Sequence, residues 1–149
     1  FAKMGGTIDL TCGESESKFH SVADAVKKAK KEGVPMEKVT MSSDGQGSWS
    51  NYDAEGKLVE IGVSDVDTIY RQIVYMVKEE NMDFEELLAL GTKNPAMALE
   101  LYPKKGAVKE ESDADILIMN EDLSLDTVIA MGVPMMRDGK ILKKGTYEK

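Results

Sequence analysis

The stretch Lys38-Val39-Thr40-Met41-Ser42-Ser43-Asp44-Gly45-Gln46-Gly47-Ser48 decides how the chain is read. Val39 and Met41 fall on one side of a two-residue alternation and Thr40 and Ser42 on the other, the pattern of a pleated strand. The strand stops at an acid followed by Gly-Gln-Gly-Ser. Glycines lack a Cβ, so they let the backbone turn sharply and come close to a ligand. This order puts a carboxylate at the carboxyl end of a strand, with backbone N–H groups and the Ser48 hydroxyl just beyond it. In folds built from parallel strands, that end carries the chemistry. Asp44-Gly45 also reads as a plain turn pair, and residue types alone leave both readings open.

Upstream, Thr7-Ile8-Asp9-Leu10-Thr11 alternates apolar and polar and reads as a strand. Residues 14–20 form a polar loop in this reading. Ser21 then caps a helix, with Asp24 three residues on and Val22, Ala25, Val26 and Ala29 at helical spacing until Gly33. Strand, helix and strand with short joints make a βαβ unit, which implies two parallel strands and a right-handed crossover. Downstream, residues 49–56 read as an aromatic and acidic loop and 58–63 as an extended piece. Ser64 and Asp65 open a helix whose apolar stripe is Val66, Ile69, Tyr70, Ile73, Val74 and Val77. Asp83 caps a second helix with Glu86 at the capping-box position, and Gly91 ends it. Asn94-Pro95 starts a third as cap and first-turn proline. After Tyr102-Pro103 the pattern is β: 107–108, 115–119, 127–131, 133–136, and then Ile141-Leu142 beyond the hairpin signal Asp138-Gly139. The expectation is an α/β part over residues 1–101 and a small β part over 102–149.

Apolar content of 42% and charged content of 31% describe a soluble globular protein. The net charge of −8 argues against nucleic acid or an anionic membrane surface as partner. The one basic run, Lys27-Lys28-Ala29-Lys30-Lys31, reads as the solvated face and charge complement of a helix end. No apolar segment approaches the about 20 residues of a membrane span. The single cysteine, Cys12, excludes an internal disulfide and fits a reducing, cytoplasmic setting. Cys12 lies near the end of the first strand, on the expected active-site side, with no base nearby to make it a nucleophile. The ten methionines read as core and gap fillers. Asp113 and Asp115 lack the spacing of a calcium loop and are assigned to a loop and the start of a strand. The chain opens Phe1-Ala2-Lys3-Met4 and reaches a strand almost at once, so it is expected to be a piece of a longer protein.

Taken together, these segments resemble the isoaspartyl dipeptidases (β-aspartyl peptidases) of the amidohydrolase superfamily. The resemblance is carried by Gly6-Thr7-Ile8-Asp9-Leu10-Thr11, by residues 39–48, by Thr92-Lys93-Asn94-Pro95-Ala96, by Ser112-Asp113-Ala114-Asp115-Ile116-Leu117 and by Gly132-Val133-Pro134-Met135-Met136-Arg137-Asp138-Gly139-Lys140. The Asp-Ala-Asp-Ile-Leu element and the closing hairpin look like amidohydrolases generally. The Ser-Ser-Asp-Gly-x-Gly-Ser segment is much more specific to the isoaspartyl peptidases. The resemblance covers this whole chain but only the later portion of the family's.

It implies a (β/α)8 barrel with a small β-sandwich, residues 7–11 being the seventh barrel strand and 38–44 the eighth. It implies a two-metal site, usually zinc, at the carboxyl ends of the strands. Asp44 then shuttles the proton from metal-bound water to the leaving amine of a β-aspartyl dipeptide, and is a metal ligand only together with groups absent from this chain. Ser48, with Gly47, would hold the dipeptide. The family's His-x-His pair and further histidines have no counterpart here. The sole histidine, His20, matches no family ligand and reads as a surface or capping residue. The resemblance thus implies a homo-oligomeric parent enzyme and a 149-residue chain inactive by itself. Two other readings stay open: a different amidohydrolase, acting on a cyclic amide or another dipeptide, and a non-catalytic piece that self-associates through open strand edges.

Overall fold

The computed structural model describes residues 1–145. Strand β1 (Ile8–Thr11) pairs in parallel with β2 (Val39–Ser42), Ile8 lying opposite Val39 and Thr11 opposite Ser42. Helix α1 (Glu16–Lys31) connects them, as the βαβ reading requires. The alternation within each strand sorts the two faces. Leu10, Cys12, Val39 and Met41 pack with Val22, Ala23 and Val26 of α1, Ile73 and Met76 of α2 (Thr68–Lys78), and Leu87 and Leu90 of α3 (Phe84–Gly91). Asp9, Thr11, Thr40 and Ser42 occupy the opposite, polar face. Burying one side and leaving the other polar fixes the register, because a one-residue slip would exchange the faces.

Three helices differ from the sequence reading. Helix α1 starts at Glu16, capped by the Ser15 hydroxyl that accepts from Lys18 N at 3.2 Å, and not at Ser21. The extra turn puts Phe19 against Tyr75, ring centroids 5.4 Å apart, and places His20 within the helix. In α2 the buried face is Thr68, Gln72, Ile73 and Met76, rotated from the expected stripe, and Val66 lies outside the helix. Polar residues are tolerated there because Thr68 Oγ1 donates to Ser43 O at 3.4 Å and Gln72 Nε2 to Phe19 O at 3.1 Å. Helix α3 begins as read, with Asp83 Oδ1 accepting from Glu86 N at 2.8 Å. Helix α4 (Lys93–Ala98) takes in Asn94 as a helical residue instead of a cap. Its buried amide donates to Met36 O and Val39 O, both at 2.8 Å, tying α4 to the start of β2.

Residues 48–63 also depart from the reading. What reads as a loop at 49–56 contains β3 (Ser48–Tyr52), which pairs antiparallel with β4 (Leu58–Val63). Gly62 makes this pairing: a Cβ there would stand 2.1 Å from the Trp49 ring, so only glycine leaves room for the indole across the ladder. After the cis Tyr102–Pro103 bond, residues 107–108 form no strand. Strands β5 (Ile116–Met119), β6 (Leu125–Ala130), β7 (Val133–Arg137) and β8 (Lys140–Ile141) form an antiparallel sheet in sequence order. Asp138 and Gly139, at φ 49° and 69°, make the expected hairpin turn between β7 and β8. Asp113 and Asp115 both pair with Lys105, and Asp115 Oδ1 accepts from Met131 N at 2.7 Å, so they anchor the start of this sheet. Tyr70 Oη reaches Leu123 O at 2.9 Å and links α2 to it. Of the methionines, Met41 and Met76 are core, whereas Met97 and Met131 are largely exposed. The last four residues of the expected 102–149 part lie outside the described residues.

Asn94→Ala removes both hydrogen bonds that tie α4 to the start of β2. We expect a loss of about 2 kcal/mol in chemical denaturation. Met76→Ala, at a fully buried position, is expected to cost about 2–5 kcal/mol in the same measurement.

Candidate functional site

The site is built where β2 ends. Beyond Ser42 and Ser43 the backbone enters the left-handed region at Asp44, φ 49°, and again at Gln46, φ 65°. Gly47 N donates to Asp44 O at 2.9 Å, closing a turn with Gln46 at the position where type II turns require positive φ. The left-handed residues are thus Asp44 and Gln46, not the two glycines. The glycines serve close approach instead. A Cβ on Gly47 would lie 2.8 Å from both the Asp44 carbonyl and its Oδ1, and one on Gly45 would lie 2.8 Å from Val66 Cγ1. The Asp44 carboxylate therefore rests over Gly47, and its side chain is exposed.

The turn is held from behind. Ser43 Oγ accepts from Gly45 N at 3.1 Å, while Ser43 O takes the Thr68 hydroxyl. Gln46 N donates to Ser64 O at 2.8 Å and Ser64 N to Gly47 O at 2.9 Å, carrying the β3–β4 ladder up to the turn. The N–H groups of Gly45, Gln46 and Gly47 are thus all bonded within the chain. Ser48 is exposed at the first position of β3. One participant was missed in the sequence. Asp9, opposite Thr40, accepts Thr40 Oγ1 at 2.7 Å and Ser42 Oγ at 2.5 Å on the polar face below the turn.

Other singled-out residues lie elsewhere. Cys12 is 3% exposed on the helical face, so it does not face the site as read from its strand position. Burial pushes its thiol up to about 12; the Asp9 charge adds to the rise, and Lys18 opposes it. His20 is exposed on α1, its Nδ1 2.7 Å from Tyr75 Oη. Tyr75 and Lys27 both bond Glu80, and the Lys27 ammonium holds that carboxyl below its usual range. This cluster ties α1 to α2.

The profile of the amidohydrolase family matches residues 2–142. The chain belongs to the amidohydrolase family. It is similar to the crystal structure of β-aspartyl dipeptidase from the thermophilic keratin-degrading Fervidobacterium islandicum AW-1 in complex with β-Asp-Leu dipeptide. The identity is 34% and the TM-score 0.80, over 99% of this chain and 38% of that one. A second structure of β-aspartyl dipeptidase from the same organism matches at 32% identity and a TM-score of 0.73, over 99% of this chain and 35% of that one. N-acetylglucosamine-6-phosphate deacetylase from Pasteurella multocida shares the fold at 18% identity and a TM-score of 0.59, over 77% of this chain and 34% of that one. This amidohydrolase chain thus spans little more than a third of the length of the solved relatives it matches.

Amidohydrolases generally bind metal ions. Among the described residues, no group of three or more His, Cys, Asp or Glu side chains converges to hold one. One exposed carboxylate, with the only imidazole bonded to a tyrosine on α2, does not fit a zinc pair, which needs several nitrogen and oxygen donors.

The usual value for the Cys12 thiol is 9.0 and the folded value about 12. A raised folded value gives stability that is complete below the unfolded value and is lost as pH climbs through the folded one. We therefore expect stability to fall between about pH 9 and 12 more steeply in the native sequence than in Cys12→Ala, read by denaturation across that range. Thiol labelling at pH 8 should proceed only on unfolding.

Proposed function

We propose that the chain is the C-terminal portion of a metal-dependent hydrolase of β-aspartyl (isoaspartyl) dipeptides, in which Asp44 carries the proton. The observation that supports this best is an exposed carboxylate held in left-handed backbone at the carboxyl end of β2. The likeness, over nearly the whole of this chain, to a β-aspartyl dipeptidase in complex with a β-Asp-Leu dipeptide supports the substrate class. In this reading β1 and β2 are the last two strands of a (β/α)8 barrel formed by residues 1–101, and 102–149 contribute strands to a small β-sandwich. The two-faced strand pair fits such a barrel. Helices cover the outside of a barrel, so the polar side bearing Asp9, Thr11, Thr40 and Ser42 would line its interior.

Amide hydrolysis needs a base for the attacking water and an acid for the departing nitrogen. A carboxylate at Asp44 does both in turn: it takes a proton as the C–O bond forms and returns it to the amine as the C–N bond breaks. A zinc pair, held by ligands outside these residues, would supply an acidified water and polarise the scissile carbonyl. Gly47 keeps the space in which the carboxylate lies, and the Ser48 hydroxyl can donate to or accept from the dipeptide's polar groups. The parent enzyme is proposed to be a cytoplasmic homo-oligomer, and the 149-residue chain alone inactive.

In the intact protein, Asp44→Asn is expected to lower kcat on β-Asp-Leu by about 10²- to 10⁴-fold; unchanged turnover would overturn the proton-carrying role. Gly47→Ala, which crowds the same carboxylate, should also reduce kcat, read in the same assay.

A further inference from the structure

We infer that Asp9 is a positioning residue that aims Asp44 through the hydroxyls of Thr40 and Ser42. This rests on the role proposed for Asp44. An acid in a strand interior is disfavoured and calls for a partner, and the partners of Asp9 are uncharged. Its two oxygens are divided between two hydroxyls of the neighbouring strand, Oδ1 taking Thr40 at 2.7 Å and Oδ2 taking Ser42 at 2.5 Å. Thr40 and Ser42 are two residues apart on one face, so the carboxylate spans one pleat of β2.

With the register already set by burial of the other face, that two-point hold restrains the rotation of a strand only four residues long. Parallel pairing, with evenly spaced, slanted bonds, is slightly weaker per residue and gains most from such a clamp. Only Ser43 separates the clamped Ser42 from Asp44, and Ser43 is itself bonded to Thr68 and Gly45 N. The backbone between clamp and carboxylate therefore has little freedom, and a rotation of β2 passes directly into the direction of the Asp44 side chain. Displacing a reacting group by about 1 Å can cost on the order of 10²-fold in rate.

The test uses the intact protein with β-Asp-Leu as substrate. Asp9→Ala should lower kcat by roughly 10²-fold with KM little changed. Asp9→Asn should recover most of the rate, since an amide oxygen still accepts from one hydroxyl and its N–H donates to the other. Thr40→Val with Ser42→Ala should repeat the Asp9→Ala loss, and adding Asp9→Ala to that pair should cost little more. Should Asp9→Ala fail to fold, the hydroxyl pair carries the same kinetic test. Wild-type kcat in Asp9→Ala or in the hydroxyl pair, with Asp44→Asn inactive, overturns the positioning role while leaving that of Asp44. Asp9→Asn as impaired as Asp9→Ala at native thermal stability also overturns it, because the charge would then act directly. Full turnover in Asp44→Asn removes the reading beneath both.

Discussion

Two four-residue strands held side by side in parallel constrain everything else in the α/β part. So short a pair has few backbone bonds to share, so its position must come from what covers it. One face is pressed against α1, α2 and α3 through Val39, Met41, Leu10 and Cys12, and this removes any choice of register. The amide of Asn94 seals the start of β2 and the hydroxyl of Thr68 seals the residue after its end. The strand is thus fixed at both ends and on one face before any functional group is considered.

The chemistry sits on what remains, the polar face and the turn above it. Left-handed backbone at a non-glycine residue costs of order 1–3 kcal/mol and persists only where the surroundings demand it. Asp44 and Gln46 both adopt it here. The ladder bonds from Ser64 and the turn bond from Gly47 N are what enforce it, so the β3–β4 hairpin braces the turn that presents the carboxylate.

How far the sequence reveals this depends on how local the cause is. The Asp83 cap and the Asp138-Gly139 turn are set by residues within a few positions of one another, and both appear as read, as does the strand–helix–strand order of the βαβ unit, although its helix begins earlier. The early start of α1, capped by Ser15, brings Phe19 onto Tyr75 more than fifty positions away, and the rotated face of α2 is bonded to carbonyls of Phe19 and Ser43, contacts that no local pattern displays. Strand β3 is hidden because its aromatic residue needs Gly62, thirteen residues later, to fit. At the site, an acid followed by two spaced glycines marks Asp44 at a strand end. The glycines' true use was not legible, since close approach and positive φ leave the same letter in a sequence. Asp9 was hidden for another reason: its meaning comes from lying opposite Thr40, and register is a property of the pair. The one clue in the letters is an acid in the middle of a strand, where residues of that kind are scarce.

The indole that lies across Gly62 has an experimental use. Trp49 is the sole tryptophan of these 149 residues and lies two positions beyond Gly47 in the hairpin that braces the Asp44 turn. Excitation selective for tryptophan therefore lights up one place in this chain. Its emission wavelength and quenching by iodide would follow the opening of that hairpin in real time, giving the region around the carboxylate an intrinsic optical reporter without any added label.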